Sequence, residues 1–134
     1  MSGLVLKLGP KERVLVNGAV IENGDKRSRL NILTPEVNIL RLRDALHPDE
    51  VNTPVKRVCY ILQLILSGDV NADEAKLQLL RGIEQLSQVF KDSYSRGILD
   101  TTTAHVSETR FYPALKALRA LIAREERLLA AARK

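Results

Sequence analysis

This chain is poor in the residues from which many sites are built. It has one cysteine, no tryptophan and only 4% aromatics in 134 residues. A single cysteine excludes an internal disulfide. Cys59 lies in the apolar run VCYILQLIL. No His or Asn pattern accompanies it, so it reads as a buried structural thiol and fits a reducing cytoplasm. Scarce aromatics leave few rings on which bases stack, and the core must be aliphatic. No apolar run reaches the roughly 18 residues of a membrane span. The stretch MSGLVLKLGPKE lacks the basic-then-apolar order of a secretory signal. A cytoplasmic protein with no membrane segment is expected.

Catalytic patterns are missing as well. His47 and His105 are far apart, and neither has a Cys, Asp or Glu at a metal-ligand spacing. There is no Gly-rich phosphate loop, no GxSxG and no HExxH. Ser93, Ser95 and Ser107 have no patterned base. Asp49 and Glu50, adjacent and next to Pro48, read as helix-entry acids rather than a catalytic pair. The sequence therefore predicts no enzyme, no metal and no cofactor.

What is present is positive charge and a change of grammar along the chain. The net charge is +5, which favours anionic partners. From Met1 to Arg43 there are eight Lys and Arg against four Asp and Glu. This part reads as about five short antiparallel strands in a meander. LVLKL alternates, and the runs VLV and AVI flank Asn17-Gly18, the strongest short hairpin signal. Asn23-Gly24-Asp25 is a second turn. SRLNIL, the turn Thr34-Pro35-Glu36 and VNILRLR complete the series. Such a thin sheet needs cover on one face.

The second part supplies the cover. Asn52-Thr53-Pro54 opens a helix, with a capping residue followed by Pro at the first helical position. Val55, Val58, Cys59, Leu62, Ile65 and Leu66 give it helical periodicity, and Ser67-Gly68-Asp69 ends it. Asn71 with Glu74 opens a second helix, striped by Leu77, Leu80, Ile83, Leu86 and Phe90 and ending near Arg96-Gly97. A third helical region opens near Asp100 and is interrupted at Pro113, with a short helix before the proline and a long one after it. The fold class is α+β. An antiparallel β module spans residues 1–43, a connector residues 44–53, and a helical region of three to four helices residues 54–134. Two aromatics stand beside an Arg in Glu108-Thr109-Arg110-Phe111-Tyr112-Pro113. Packing of Phe111 into the core is favoured there over a partner or base contact.

The cations of the β module form the main candidate site. Strand side chains alternate between faces, so Arg27 and Arg29 share a face, as do Arg41 and Arg43. If Thr34-Pro35-Glu36 is a three-residue loop, Arg29 lies across from Arg41, Arg27 across from Arg43, and Leu30 meets Leu40. Four guanidiniums, helped by Lys26, then face one way. Like charges directly opposed are destabilising, and Arg forks bind phosphate bidentately. Two readings stay open: a phosphate-binding face, or edge-strand cations that prevent sheet-to-sheet pairing or are neutralised by Asp25, Glu36 or Asp44.

The strings ERVLVNGAVIENGD, LRLRDALHPDEVNTPVKRVCY and ETRFYPALKAL resemble the FlbT family of flagellar regulators, over nearly the whole chain. The resemblance implies a post-transcriptional regulator that acts on the 5′ untranslated region of flagellin mRNA. It also implies a small flagellar partner, FlaF. The family offers no RNA-contact motif to carry over, so Arg27, Arg29, Arg41, Arg43 and Lys26 rest on charge and register alone. A basic sheet without a catalytic set suits single-stranded RNA, read through Arg and backbone groups. The alternative is a protein-binding adaptor whose helical half holds FlaF or flagellin. A helix-turn-helix DNA binder is disfavoured, because only Lys76 and Arg81 lie near the start of the second helix. Open strand edges predict a homodimer or higher oligomer.

Overall fold

The structure, a computed structural model, describes residues 4–34 and 37–132. It is an α+β fold with five strands followed by five helices. Strands β1 (Leu4–Leu8), β2 (Arg13–Val16), β3 (Ala19–Glu22), β4 (Ser28–Ile32) and β5 (Ile39–Arg41) form two antiparallel sheets. The Asn17-Gly18 hairpin is as expected. Asn17 has φ 47° and Gly18 φ 86°, the pair of positive angles a type I′ turn requires. Val16 pairs with Ala19 across it.

The strand order is not a meander. β1 pairs with β4 as a separate ribbon, and the other sheet runs β3-β2-β5. β4 leaves β3 because Asn23 turns the chain. Its Nδ2 donates to the carbonyls of Gly9 (2.7 Å) and Lys26 (2.9 Å), and its Oδ1 accepts from the Ser28 hydroxyl (2.7 Å). The chain is thereby carried across to β1. Leu6 and Leu8 then point into the core, with Leu30 and Ile32 half-buried beside them. The expected register between β4 and β5 is corrected accordingly: Arg29 opposes Lys7, Arg41 opposes Val14, and Leu40 opposes Leu15. Of the expected loop Thr34-Pro35-Glu36, residues 35 and 36 lie outside the described residues.

Helices α1 (Pro54–Ser67), α2 (Ala72–Val89), α3 (Ser93–Ser107), α4 (Phe111–Leu118) and α5 (Ala120–Ala132) make up the cover. The Thr53 Oγ1 accepts from the Lys56 amide, and Gly68, with φ 85°, closes α1 in the left-handed region. Asn71 caps α2 through the amides of Asp73 and Glu74. Three boundaries differ from expectation. Asp92 accepts from the Ser95 amide at 3.0 Å, so α2 stops at Val89 and α3 begins at Ser93, well before Asp100. Leu77, expected inside, is 58% exposed, because α2 buries Ala75, Leu79, Ile83 and Leu86 instead. Pro113 interrupts nothing. It lies in the first turn of α4, where amides have no partner four residues back. The break falls earlier, at Thr109, whose φ is 59°.

The two parts are joined by specific bonds. The Gln63 side chain pairs both ways with the Leu46 backbone. Arg119 donates to the Asp44 carbonyl at 2.7 Å. The connector is wound into two single 3-10 turns, Leu42–Asp44 and Pro48–Glu50. His47 and Glu50 cap the second reciprocally, which gives His47, Asp49 and Glu50 a structural use. Glu125 reaches back from α5 to accept from the Val55 amide at 3.0 Å. Its carboxylate thus sits at the positive end of α1, nearly buried at 5% exposure. Cys59 is buried, and burial pushes its thiol up to about 12.

Candidate nucleic-acid interface

The β1–β4 ribbon has one apolar and one cationic face. Alternation in LVLKL sends Leu6 and Leu8 inward and Lys7 outward. Arg29, its cross-strand partner, shares that outer face. Arg27 precedes β4 on the same side, and Arg43 approaches from the 3-10 turn that follows β5. Lys7, Arg27, Arg29 and Arg43 line one open depression of about 720 Å³, with Ser28 and the Gly9-Pro10 backbone between them. Among the described residues, no acid lines it. Among the described residues, Lys7, Arg27 and Arg29 have no carboxylate within ion-pair distance, while Arg43 lies 3.6 Å from Glu12 and 3.9 Å from Asp44.

Of the five residues singled out from the sequence, three line this depression. Arg41 does not. It turns inward to form a fork on Glu12, with Nε–Oε2 at 2.7 Å and Nη2–Oε1 at 2.9 Å. It also donates to the Lys7 carbonyl. The two side chains are 12% and 7% exposed. Hydrogen bonds from Arg41 hold the Glu12 carboxyl down to about 2, with further help from the Gly9 amide and the charges of Arg41 and Arg43. Glu12 Oε1 accepts from that amide at 3.0 Å. Arg41 and Glu12 therefore latch the two sheets together and fix the Gly9 turn that borders the depression. Lys26 lies in the loop after Asn23 and does not line it.

Sequence reasoning missed Lys7, Asn23 and Glu12. Lys7 was available as the outward residue of an alternating strand. The other two were not, since the bonds that join the strands run from Asn23 to Gly9, 14 residues away, and from Glu12 to Arg41, 29 residues away.

The geometry suits an extended polyanion. Two cations stand opposed on a rigid ribbon, and two more flank them, so successive phosphates can be met at fixed spacing. No aromatic lines the depression, so it offers no stacking platform. Phe111 and Tyr112 are buried in the core, and Arg110 pairs with Glu108 at 3.1 Å. Among the described residues no cluster of His, Cys, Asp and Glu is placed to hold a metal. No described helix is long and apolar enough to cross a membrane.

Comparison with known proteins points one way. A family model described as "Flagellar protein FlbT" matches residues 4–129. A "probable flagellum biosynthesis repressor protein FlbT" of Chelativorans sp. is 35% identical over 96% of this chain and 86% of its own length. The corresponding "FlbT 1" of Bradyrhizobium diazoefficiens is 38% identical over 93% of this chain and 84% of its own. The "flagellum biosynthesis repressor protein FlbT" of Caulobacter vibrioides is 29% identical over 94% and 89%. No solved structure matches the chain.

Proposed function

Because this chain belongs to the FlbT family of flagellar proteins, we propose that it regulates flagellum biosynthesis after transcription, by binding the 5′ untranslated leader of flagellin mRNA at the depression lined by Lys7, Arg27, Arg29 and Arg43. The names of its relatives speak of repression, and repression of flagellin translation, or loss of the message, is the outcome this reading takes. One observation carries it: four cations converge on a single depression that no acid among the described residues lines. A structural surface intersperses its charges, and opposing Lys7 to Arg29 costs stability unless an anion relieves it.

The site holds phosphates and leaves sequence to be read by the shape of the leader. The test is a gel-shift titration of pure protein with flagellin leader RNA and an unrelated leader of equal length, at several salt concentrations. The flagellin leader should bind more tightly. If all four cations meet phosphate, log K against log salt should fall with a slope of roughly −2.8. Equal affinity for both leaders, or no binding, overturns the proposal.

A further inference from the structure

The hairpin of α1 and α2 has an open side. These helices run antiparallel, joined by the short turn Gly68 to Asn71. Two depressions of about 430 and 250 Å³ lie end to end along their outer seam and share Ile61 and Gln78. The seam is lined by Val58, Ile61, Leu64, Val70 and Val89. Val89 is 68% exposed and Val70 37%. On a surface helix pair such residues normally meet a third element. No other element of the described chain lines this seam.

A second observation marks the seam as a shaped surface. Gly82 sits in the middle of α2, where glycine costs about 1 kcal/mol relative to alanine. A Cβ there would lie 2.9 Å from Val58 Cγ2. Glycine therefore lets α1 and α2 approach closely and leaves the floor open. A groove beside a 14-residue helix is roughly 21 Å long, which admits a partner helix of about four turns. A strand would not suit, since both walls already satisfy their own backbone hydrogen bonds.

Charge decides which helix. Arg57 on α1 and Arg81 on α2 both line the half of the groove that runs towards Val89, and Glu74 lines the other half. Among the described residues neither has a carboxylate within ion-pair distance, and both are exposed. Another copy of this chain is a poor occupant: its net charge is +5. The exposed apolar residues of its last helix, Leu128 and Leu129, lie beside Arg124 and Arg127. We infer that the α1–α2 groove binds an amphipathic helix of a partner protein, with an apolar stripe along the seam and acidic side chains in the half held by Arg57 and Arg81. This surface is independent of the RNA reading.

The test uses the full chain, labelled with ¹⁵N, and three synthetic 14-residue helix-forming peptides. One has leucines at helical spacing and two Glu at one end, the second carries Lys in place of the Glu pair, and the third is a scramble of the first. The acidic peptide should shift amide resonances of α1 and α2 around Ile61, Gln78 and Gly82. The double variant Arg57→Glu with Arg81→Glu should weaken it by about tenfold or more and prefer the Lys peptide, because opposed like charges repel. Circular dichroism of that variant should match wild type, since both positions are exposed. Three results would each overturn the proposal: equal or absent binding of the peptides, shifts that fall elsewhere, or a wild-type dimer in sedimentation that Ile61→Arg converts to monomer, which would make a second copy the occupant.

Discussion

The two small sheets treat their cations in opposite ways. In the β3-β2-β5 sheet every basic side chain meets an acid: Arg13 meets Glu22 at 2.9 Å, and Arg41 meets Glu12 at 2.7 Å. In the β1–β4 ribbon, Lys7 and Arg29 oppose each other with no described acid in reach. Residue type does not separate these cases, since Arg29 and Arg41 are both strand arginines. Register does. Arg41 lies beside the Glu12 turn and is drawn inward, whereas Arg29 is held on an outer face. The contrast teaches that an arginine in a strand is a strut or a ligand according to what lies within about 4 Å of it.

The hardest blow to the contrast is Arg41→Ala. It leaves the Glu12 carboxylate with only the Gly9 amide and the more distant Arg43 as partners, which should cost about 2 kcal/mol, read as a fall in the urea midpoint. Loss of leader binding should follow through the Gly9 turn, and folding the variant in osmolyte should restore part of it. A change of under 0.5 kcal/mol would mean that Arg41 is no strut.

Acid probes the same pair without mutation. Glu12 ordinarily titrates near 4.5 and is held at about 2 in the fold. A depressed carboxyl stabilises fully above its unfolded value and loses that contribution as pH falls towards its folded value. Stability should therefore fall as pH drops from about 5 towards 2, by an amount on the order of 1 kcal/mol once solvent screening is counted. In Glu12→Gln this component should vanish from the pH dependence of urea unfolding. An unchanged pH profile in that variant would place the acid sensitivity elsewhere.

The ribbon should answer in the opposite sense. Arg27→Ala with Arg29→Ala should leave stability within about 0.5 kcal/mol. The salt slope of leader binding should shrink by roughly 1.4, or 0.7 per lost phosphate. Smallest of all is Lys26→Ala, outside the depression, which should alter neither stability nor slope. If Lys26→Ala weakens binding as much as Arg29→Ala, the RNA path runs along the loop rather than across the ribbon.

Local chemistry was legible in the residues. Asn17-Gly18, the Thr53 cap, the Gly68 stop and Asn71 each signal through groups within four positions, and each element begins or ends there. The cap at Asp92 is equally local but was overshadowed by Gly97, a residue that α3 simply absorbs. Long-range pairing was not legible. Nothing near Ser28 says that its strand joins Leu8 rather than Arg41, because the decision rests with Asn23 reaching Gly9. For the same reason the alternation of Arg27 and Arg29 translated into a shared depression, while that of Arg41 and Arg43 failed when the strand ended at Arg41.

The reach of Glu125 to the Val55 amide sets an order of events on the ribosome. The acceptor is encoded 70 residues after the donor. At bacterial elongation rates that interval is roughly 4–14 s. Throughout it the first helix has an uncapped amide at its second residue. A message cut or stalled before the last helix yields a chain that cannot seal its own first helix.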